Sequence, residues 1–260
     1  MSDNTTPTEL IHLTYDGNFE LECDAKVVCC RVINDELQAI ELDRTTMHPQ
    51  GGGQPTDVGT ISAGEEQTVS ISKVTLDRDS GIVTHEGTVT TEPLQVGDHV
   101  KVSVNAEQRR ILSECHTAGH VVDSAMARCG QVLPASKGYH FLDSPYVEYK
   151  GSVPPDERPK LLEKLQHAFA DLVKEDLETK IETMSRQKAE GLCKTFDLDM
   201  FAKPGQPLRI VTVAGWHCPC GGTHVKSTGE LKKRQWGITG LKCKKDIVRV
   251  RYGYDKSSDS

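Results

Sequence analysis

His116 and His120 stand four residues apart in NAEQRRILSECHTAGHVVDSAMARCG (105–130). In a helix that spacing puts both imidazoles on one face, about one turn apart, where they can bind one metal ion. Thr117, not a glutamate, follows His116, so the zinc-protease pattern with its built-in general base is absent. Cys220 and His224 repeat the four-residue spacing in CGGTH, inside a glycine-rich stretch. Together the two pairs offer three imidazole nitrogens and one thiolate, a donor set that suits one tetrahedral zinc ion per chain. A third element is the loop GGGQPTDVG (51–59). No lysine and no helical pattern follow its glycines, so it is not a P-loop. Gly51, Gly52 and Gly53 let the backbone approach a ligand closely, and Gln54 offers both a donor and acceptors.

The elements that must position these residues change character near residue 105. Before it, VVCCRVI (27–33), LQAIELD (37–43), VSISKVTLD (69–77), GIVTHEG (81–87) and DHVKVSV (98–104) read as short strands, with Asn34-Asp35-Glu36 as a hairpin turn. Such a run with no helical pattern predicts a small barrel or sandwich. The stretch 47–64 is too rich in glycine for a strand interior and reads as a loop. From 105 to 130, Ile111, Leu112, Cys115, Val122 and Met126 recur at helical spacing, with Asn105 as N-cap, Gln108 three residues on, and Gly130 as stop. Residues 139–142 and 146–149 read as a strand pair. Pro154-Pro155-Asp156 then introduces a long helix whose stripe is Leu161, Leu165, Ala168, Leu172, Leu177, Ile181 and Met184. Residues 208–215 and 247–254 read as strands, 218–230 as a loop, and the tail DKSSDS as frayed.

Charge is distributed unevenly along the 260 residues. The net charge is -7, yet residues 1–100 carry 18 acidic and 5 basic side chains, while residues 226–251 carry 9 basic and 2 acidic. A basic segment in an acidic protein can hold phosphates; a solvated lysine face has the same composition. No apolar run approaches the roughly 20 residues that span a bilayer, so no membrane partner is expected. MSDNTTPTEL has neither a basic n-region nor an apolar h-region. The nine cysteines are therefore expected as reduced thiols of a cytoplasmic monomer, with any thiol near histidine held for a metal.

In order and at these separations, HPQGGGQPTDVG, HTAGH and PCGGTHV followed by TGE resemble the editing domain of alanyl-tRNA synthetase, and more closely the freestanding AlaX-type alanyl-tRNA editing proteins. The similarity runs from about residue 10 to residue 254. The last two motifs are shared with the related editing domain of threonyl-tRNA synthetase; the glycine loop favours the alanyl branch. No segment is left for an aminoacylation core, so the chain resembles the detached editor in its medium-length form.

The resemblance implies an α+β fold: a small N-terminal β-barrel over 1–104, then an editing domain over 105–260 with helices packed on an antiparallel sheet. The zinc site would face the glycine loop across the domain interface. The implied activity is hydrolysis of the ester in Ser-tRNA(Ala), with Gly-tRNA(Ala) as a further substrate and Ala-tRNA(Ala) spared. His116, His120, Cys220 and His224 would hold zinc, with His217 and Cys218 as alternate donors. Gln54, together with Gly51, Gly52 and Gly53, would line the substrate pocket, and Asp57 and Thr223 stand beside the motifs as further catalytic candidates. Lys226, Lys232, Lys233, Arg234, Lys242, Lys244 and Lys245, followed by Arg249 and Arg251, would meet the tRNA acceptor stem, with Arg109 and Arg110 contributing.

Four protein ligands leave zinc no open position, so it is expected to orient the substrate while a separate water attacks, placed by Gln54 or by the terminal ribose hydroxyl. Serine can be told from the smaller alanine only through its hydroxyl. The rival readings are a non-enzymatic zinc-stabilised RNA-binding module, which would bind tRNA without deacylating it, and a metal-dependent hydrolase of small esters, which would need no tRNA.

Overall fold

The computed structural model describes residues 6–34 and 36–255. Asp35 of the expected hairpin turn, and the tail from Lys256, lie outside the described residues. The chain divides into two compact bodies, one of residues 1–51 and 55–111, the other of 52–54 and 112–260. The sequence boundary at 104/105 falls where a long helix begins, and the first residues of that helix count with the barrel body.

The first body is built from β1 (Glu9–Leu10), β2 (Glu22–Val32), β3 (Leu37–Leu42), β4 (Arg44–Thr45), β5 (Gly59–Ala63), β6 (Gln67–Leu76), β7 (Val83–Val89) and β8 (His99–Val104). Six of them close a barrel in the order β2-β3-β7-β6-β5-β8, with every pair antiparallel. Alternation explains the closure. In β8, Val100, Val102 and Val104 are buried, while His99 and Lys101 face out. Val27, Ile40, Leu42, Ile61, Val69, Ile71 and Val83 complete the interior. β1 and β4 add a short parallel pair.

One expectation fails here. Residues 59–63, read as part of a glycine loop, form β5, which joins β6 to β8. The position in the strand is glycine because the neighbouring strand β8 comes too close for a side chain: a Cβ there would lie 2.1 Å from Ser103 O. Glycine inside a strand often marks such a close backbone approach.

The second body takes most of α1 (Ala106–Arg128), then β9 (Ala135–Tyr139), β10 (Tyr146–Lys150), α2 (Arg158–Lys174), β11 (Lys180–Met184), α3 (Arg186–Leu192), β12 (Leu208–Val213), β13 (Trp216–Pro219), β14 (Gly237–Lys244) and β15 (Ile247–Gly253). The strands form two antiparallel sheets, β14-β15-β10-β9 and β11-β12-β13. The expected α+β class therefore stands. Asn105 caps α1 as expected, its Oδ1 accepting from Gln108 N–H at 2.9 Å, and Gly130 closes the helix end with φ 77°.

The helix expected to carry seven apolar positions stops at Lys174, so Leu177, Ile181 and Met184 lie beyond it, the last two in β11. Asp176 turns the chain with φ 51°, a conformation Asp tolerates better than most residues, and its Oδ1 accepts from Gly229 N–H at 3.0 Å and from Ser227 Oγ. Ile181 and Met184 are both buried although three apart in a strand, which imitates a helical stripe. The strand pair expected at 139–142 and 146–149 begins earlier, at Ala135, and β14 crosses the stretch read only as a basic segment. No helix among the described residues is long and apolar enough to cross a membrane.

Candidate metal centre

His116 and His120 leave α1 one turn apart, their rings stacked at 5.2 Å between centroids. Cys220 and His224 come from the irregular segment after β13. The four offer one ligand atom each, all within 4.8 Å of one another. Cys220 Sγ lies 3.4 Å from His116 Nε2 and 3.4 Å from His224 Nε2. A tetrahedral zinc ion with bonds of about 2.0–2.3 Å sets its ligand atoms about 3.3–3.6 Å apart, so these two edges already have the required length. The three histidines are buried and Cys220 is half-buried.

Hydrogen bonds select the ring nitrogens. His116 Nδ1–H donates to Gln54 Oε1 at 2.7 Å, and Thr117 Oγ1 lies 3.2 Å from His224 Nδ1, so both rings turn Nε2 towards Cys220. Both partners are themselves held. Thr223 N–H also donates to Gln54 Oε1 (3.0 Å), Gln54 Nε2 donates to Thr223 Oγ1 (2.9 Å), and Val225 N–H donates to Thr117 Oγ1 (3.1 Å). Ser113 Oγ lies 2.8 Å from Thr223 Oγ1 and extends the chain. His120 differs, because neither of its buried ring nitrogens has a hydrogen-bond partner among the described residues. A metal ligand bond would satisfy one of them, and orphaned buried polar atoms are otherwise rare. Burial pushes the His120 imidazole down to about 4, so it is neutral at pH 7, the form that ligates. Asp123, one turn further, stands 3.8 Å from His120 Nδ1; burial raises its carboxyl to about 7, and Tyr149 OH donates to it at 2.6 Å. Burial raises the Cys220 thiol, and the nearby Arg209 guanidinium opposes that rise. The donor set, the edge lengths and the orphaned His120 nitrogens all fit zinc.

Glycine is required where the chain passes over the ring of His116. A Cβ on Gly222 would lie 2.2 Å from His116 Cε1 and 2.6 Å from Gln54 Oε1. Gly51, Gly52 and Gly53 deliver Gln54, which belongs with the second body, as do Gly52 and Gly53.

Other expected residues fall elsewhere. Asp57 and Arg109 form a buried ion pair of the barrel body. Asp57 Oδ2 also accepts from His48 N–H (2.6 Å), and Arg109 Nη2 donates to Thr46 O (2.6 Å). Asp57 is thereby committed as a structural anion and Arg109 is withdrawn from solvent, because a lone buried charge would be far costlier than the pair. Arg234 is likewise buried, paired with Glu114 at 3.0 Å, and Glu114 also accepts from Trp236 Nε1. It anchors the basic segment and does not display a charge. Arg110, Lys226, Lys232, Lys233, Lys242, Lys244 and Lys245 are exposed. Of the alternate donors, His217 bonds Thr212 Oγ1 at 2.8 Å and Cys218 is buried in β13; the cluster contains neither.

His140 escaped the sequence reading. Its ring stacks on His116 at 4.2 Å, and Tyr252 OH lies 2.5 Å from its Nδ1. Burial lowers it to about 3. No spacing rule links 140 to 116, whereas Asp123, three residues after His120 on one helix, was legible in principle.

Two family models match the chain: "tRNA synthetases class II (A)" over residues 6–108, and "Threonyl and Alanyl tRNA synthetase second additional domain" over residues 208–234. The latter contains Cys220 and His224. Similar curated proteins include the alanine–tRNA ligase of Haloquadratum walsbyi, 30% identical over 86% of this chain and 23% of that protein. The alanyl-tRNA editing protein AlaX-L of Pyrococcus horikoshii is 29% identical over 84% of this chain and 51% of that protein. The resemblance to AlaX-type editing proteins read from the motifs is thus borne out. The chain spans about a quarter of the length of the ligases it matches, and about half of the editing protein.

Proposed function

We propose that this chain is a zinc-dependent, trans-acting aminoacyl-tRNA deacylase that hydrolyses the ester of mischarged Ser-tRNA(Ala), and of Gly-tRNA(Ala), while sparing Ala-tRNA(Ala). The observation that carries this reading is the convergence of His116, His120, Cys220 and His224, with Gln54 bonded to the first of them. The similarity to alanine–tRNA ligases and to an alanyl-tRNA editing protein supports the substrate class.

His116, His120, Cys220 and His224 would hold zinc, which when bound supplies a fixed positive centre that orients the aminoacyl group. The ester is already an activated bond, so orientation of the carbonyl and of a water is the main demand on the protein. Gln54 is a positioning residue for His116. Its Oε1 takes two donors and one Nε2 hydrogen goes to Thr223, so the second Nε2 hydrogen is left to meet the serine hydroxyl. When alanine enters, that donor has no partner, and a buried unpaired donor is the physical basis for rejecting it. Thr223 and Ser113 hold the amide in place.

The reading is tested by stripping the metal with a chelator and restoring it. Deacylation of Ser-tRNA(Ala) should vanish and return with zinc, with the protein folded throughout by circular dichroism. A zinc-bound, tRNA-binding protein with no deacylation would support the RNA-binding module in its place.

A further inference from the structure

In the sheet β14-β15-β10-β9, successive residues point to opposite faces. One face carries Val147, Tyr149, Val248, Val250 and Tyr252, all buried. On the other, register aligns Tyr139 with Tyr146, Tyr146 with Arg251, and Lys242 with Arg249. Pairing of β14 with β15 thus puts Lys242, Arg249 and Arg251, three of the nine basic residues of 226–251, on the same face as two tyrosines.

Those aromatics form one column. The Arg249 guanidinium lies 4.1 Å from the Tyr146 ring centroid. Tyr146 and Tyr139 are 5.2 Å apart and inclined by 18°, and Tyr139 and Phe141 are 4.6 Å apart and inclined by 15°. All three rings are half-buried, unlike the core aromatics Tyr149 and Phe169. Glu148 accepts from Arg249 Nε at 2.8 Å and fixes the cation at one end; the column ends in Phe141 at the other. Phe141 follows His140 in the chain, whose ring stacks on His116. A half-exposed π-column amid cations meets two needs of an unpaired nucleotide, a flat partner for the base and positive charge for the phosphate. A duplex would use the cations alone.

We propose that this sheet face docks the unpaired 3′ nucleotides of an RNA, one base extending the column at Phe141 and Lys242 and Arg251 holding phosphates. The proposal rests on the reading of the chain as a tRNA deacylase and adds the mode of capture.

The test is fluorescence anisotropy with two acceptor-stem hairpins, one carrying an unpaired 3′ tail and one blunt. The wild-type chain should bind the tailed hairpin about tenfold more tightly, the order of one aromatic–base stack. Phe141→Leu should lose that preference, Phe141→Trp should keep it, and Lys242→Ala should weaken both hairpins alike with a smaller salt dependence. Equal binding of the two hairpins by wild type, or an undiminished preference in Phe141→Leu, would overturn the proposal. Ser-tRNA(Ala) hydrolysis measured in parallel keeps the two readings apart. Hydrolysis by wild type without a tail preference rejects only the docking face, whereas no hydrolysis rejects the deacylase reading on which it rests.

Discussion

Gln54 Oε1 accepts the Nδ1 hydrogen of His116 across 2.7 Å, and this one bond decides which nitrogen of that ring is left for a metal. Partners of this kind typically change metal affinity or activity by about 10–100-fold. Gln54→Ala should therefore weaken zinc binding by that order, measured by competition with a chromogenic chelator, and lower hydrolysis of serine. Gln54→Glu keeps an acceptor at the same place and should retain more of the affinity.

Gly222 makes a separate steric prediction. Its missing side chain leaves room for His116, because a Cβ would come within 2.2 Å of that ring. Gly222→Ala should displace the imidazole and yield protein with less than stoichiometric zinc after dialysis. Gly221, beside which a Cβ meets nothing within 4 Å, is the control; Gly221→Ala should keep its zinc.

The Asp57–Arg109 pair should matter for stability and not for chemistry. Arg109→Met leaves Asp57 charged and buried, which costs about 3–5 kcal/mol when a buried pair is broken from one side. Urea unfolding should show that loss. The double variant Asp57→Leu with Arg109→Met should recover much of it.

His85 predicts a pH dependence of the barrel body. It is fully buried, with Nδ1–H donating to Ile40 O at 3.1 Å and Thr45 Oγ1 2.9 Å from Nε2, and burial pushes it down to about 4. An unfolded imidazole titrates near about 6.5. Between these values the unfolded chain holds the extra proton, so the contribution of His85 is complete above pH 6.5 and is lost as pH falls towards 4. The difference corresponds to about 3 kcal/mol. Unfolding free energy measured from pH 7 to pH 4 should fall accordingly, and His85→Asn should show a smaller fall.

Periodicity made α1 legible, together with its Asn105 cap and the shared face of His116 and His120, because all three depend on local spacing. It misled where two periods coincide: Ile181 and Met184 prolong a helical stripe on paper, and only the turn at Asp176 separates them from α2. Composition counted Arg109 and Arg234 as surface charge, but their roles are set by Asp57 and Glu114, acids 52 and 120 residues away. His140 was invisible for the same reason, since what makes it part of the site is a stack on His116, made where the residue after β9 meets α1. Gly59 shows that a glycine's meaning depends on the neighbouring strand, which the sequence around it does not display.

The central claim is that the four converging ligands serve hydrolysis of a mischarged tRNA. Its most direct measurement is the time course of ester loss from Ser-tRNA(Ala) beside Ala-tRNA(Ala), with wild type and Cys220→Ala in parallel. Fast loss from Ser-tRNA(Ala) alone, abolished in the variant, is the expected result. Wild-type protein that contains zinc yet hydrolyses neither substrate, or a Cys220→Ala chain as active as wild type, would contradict it.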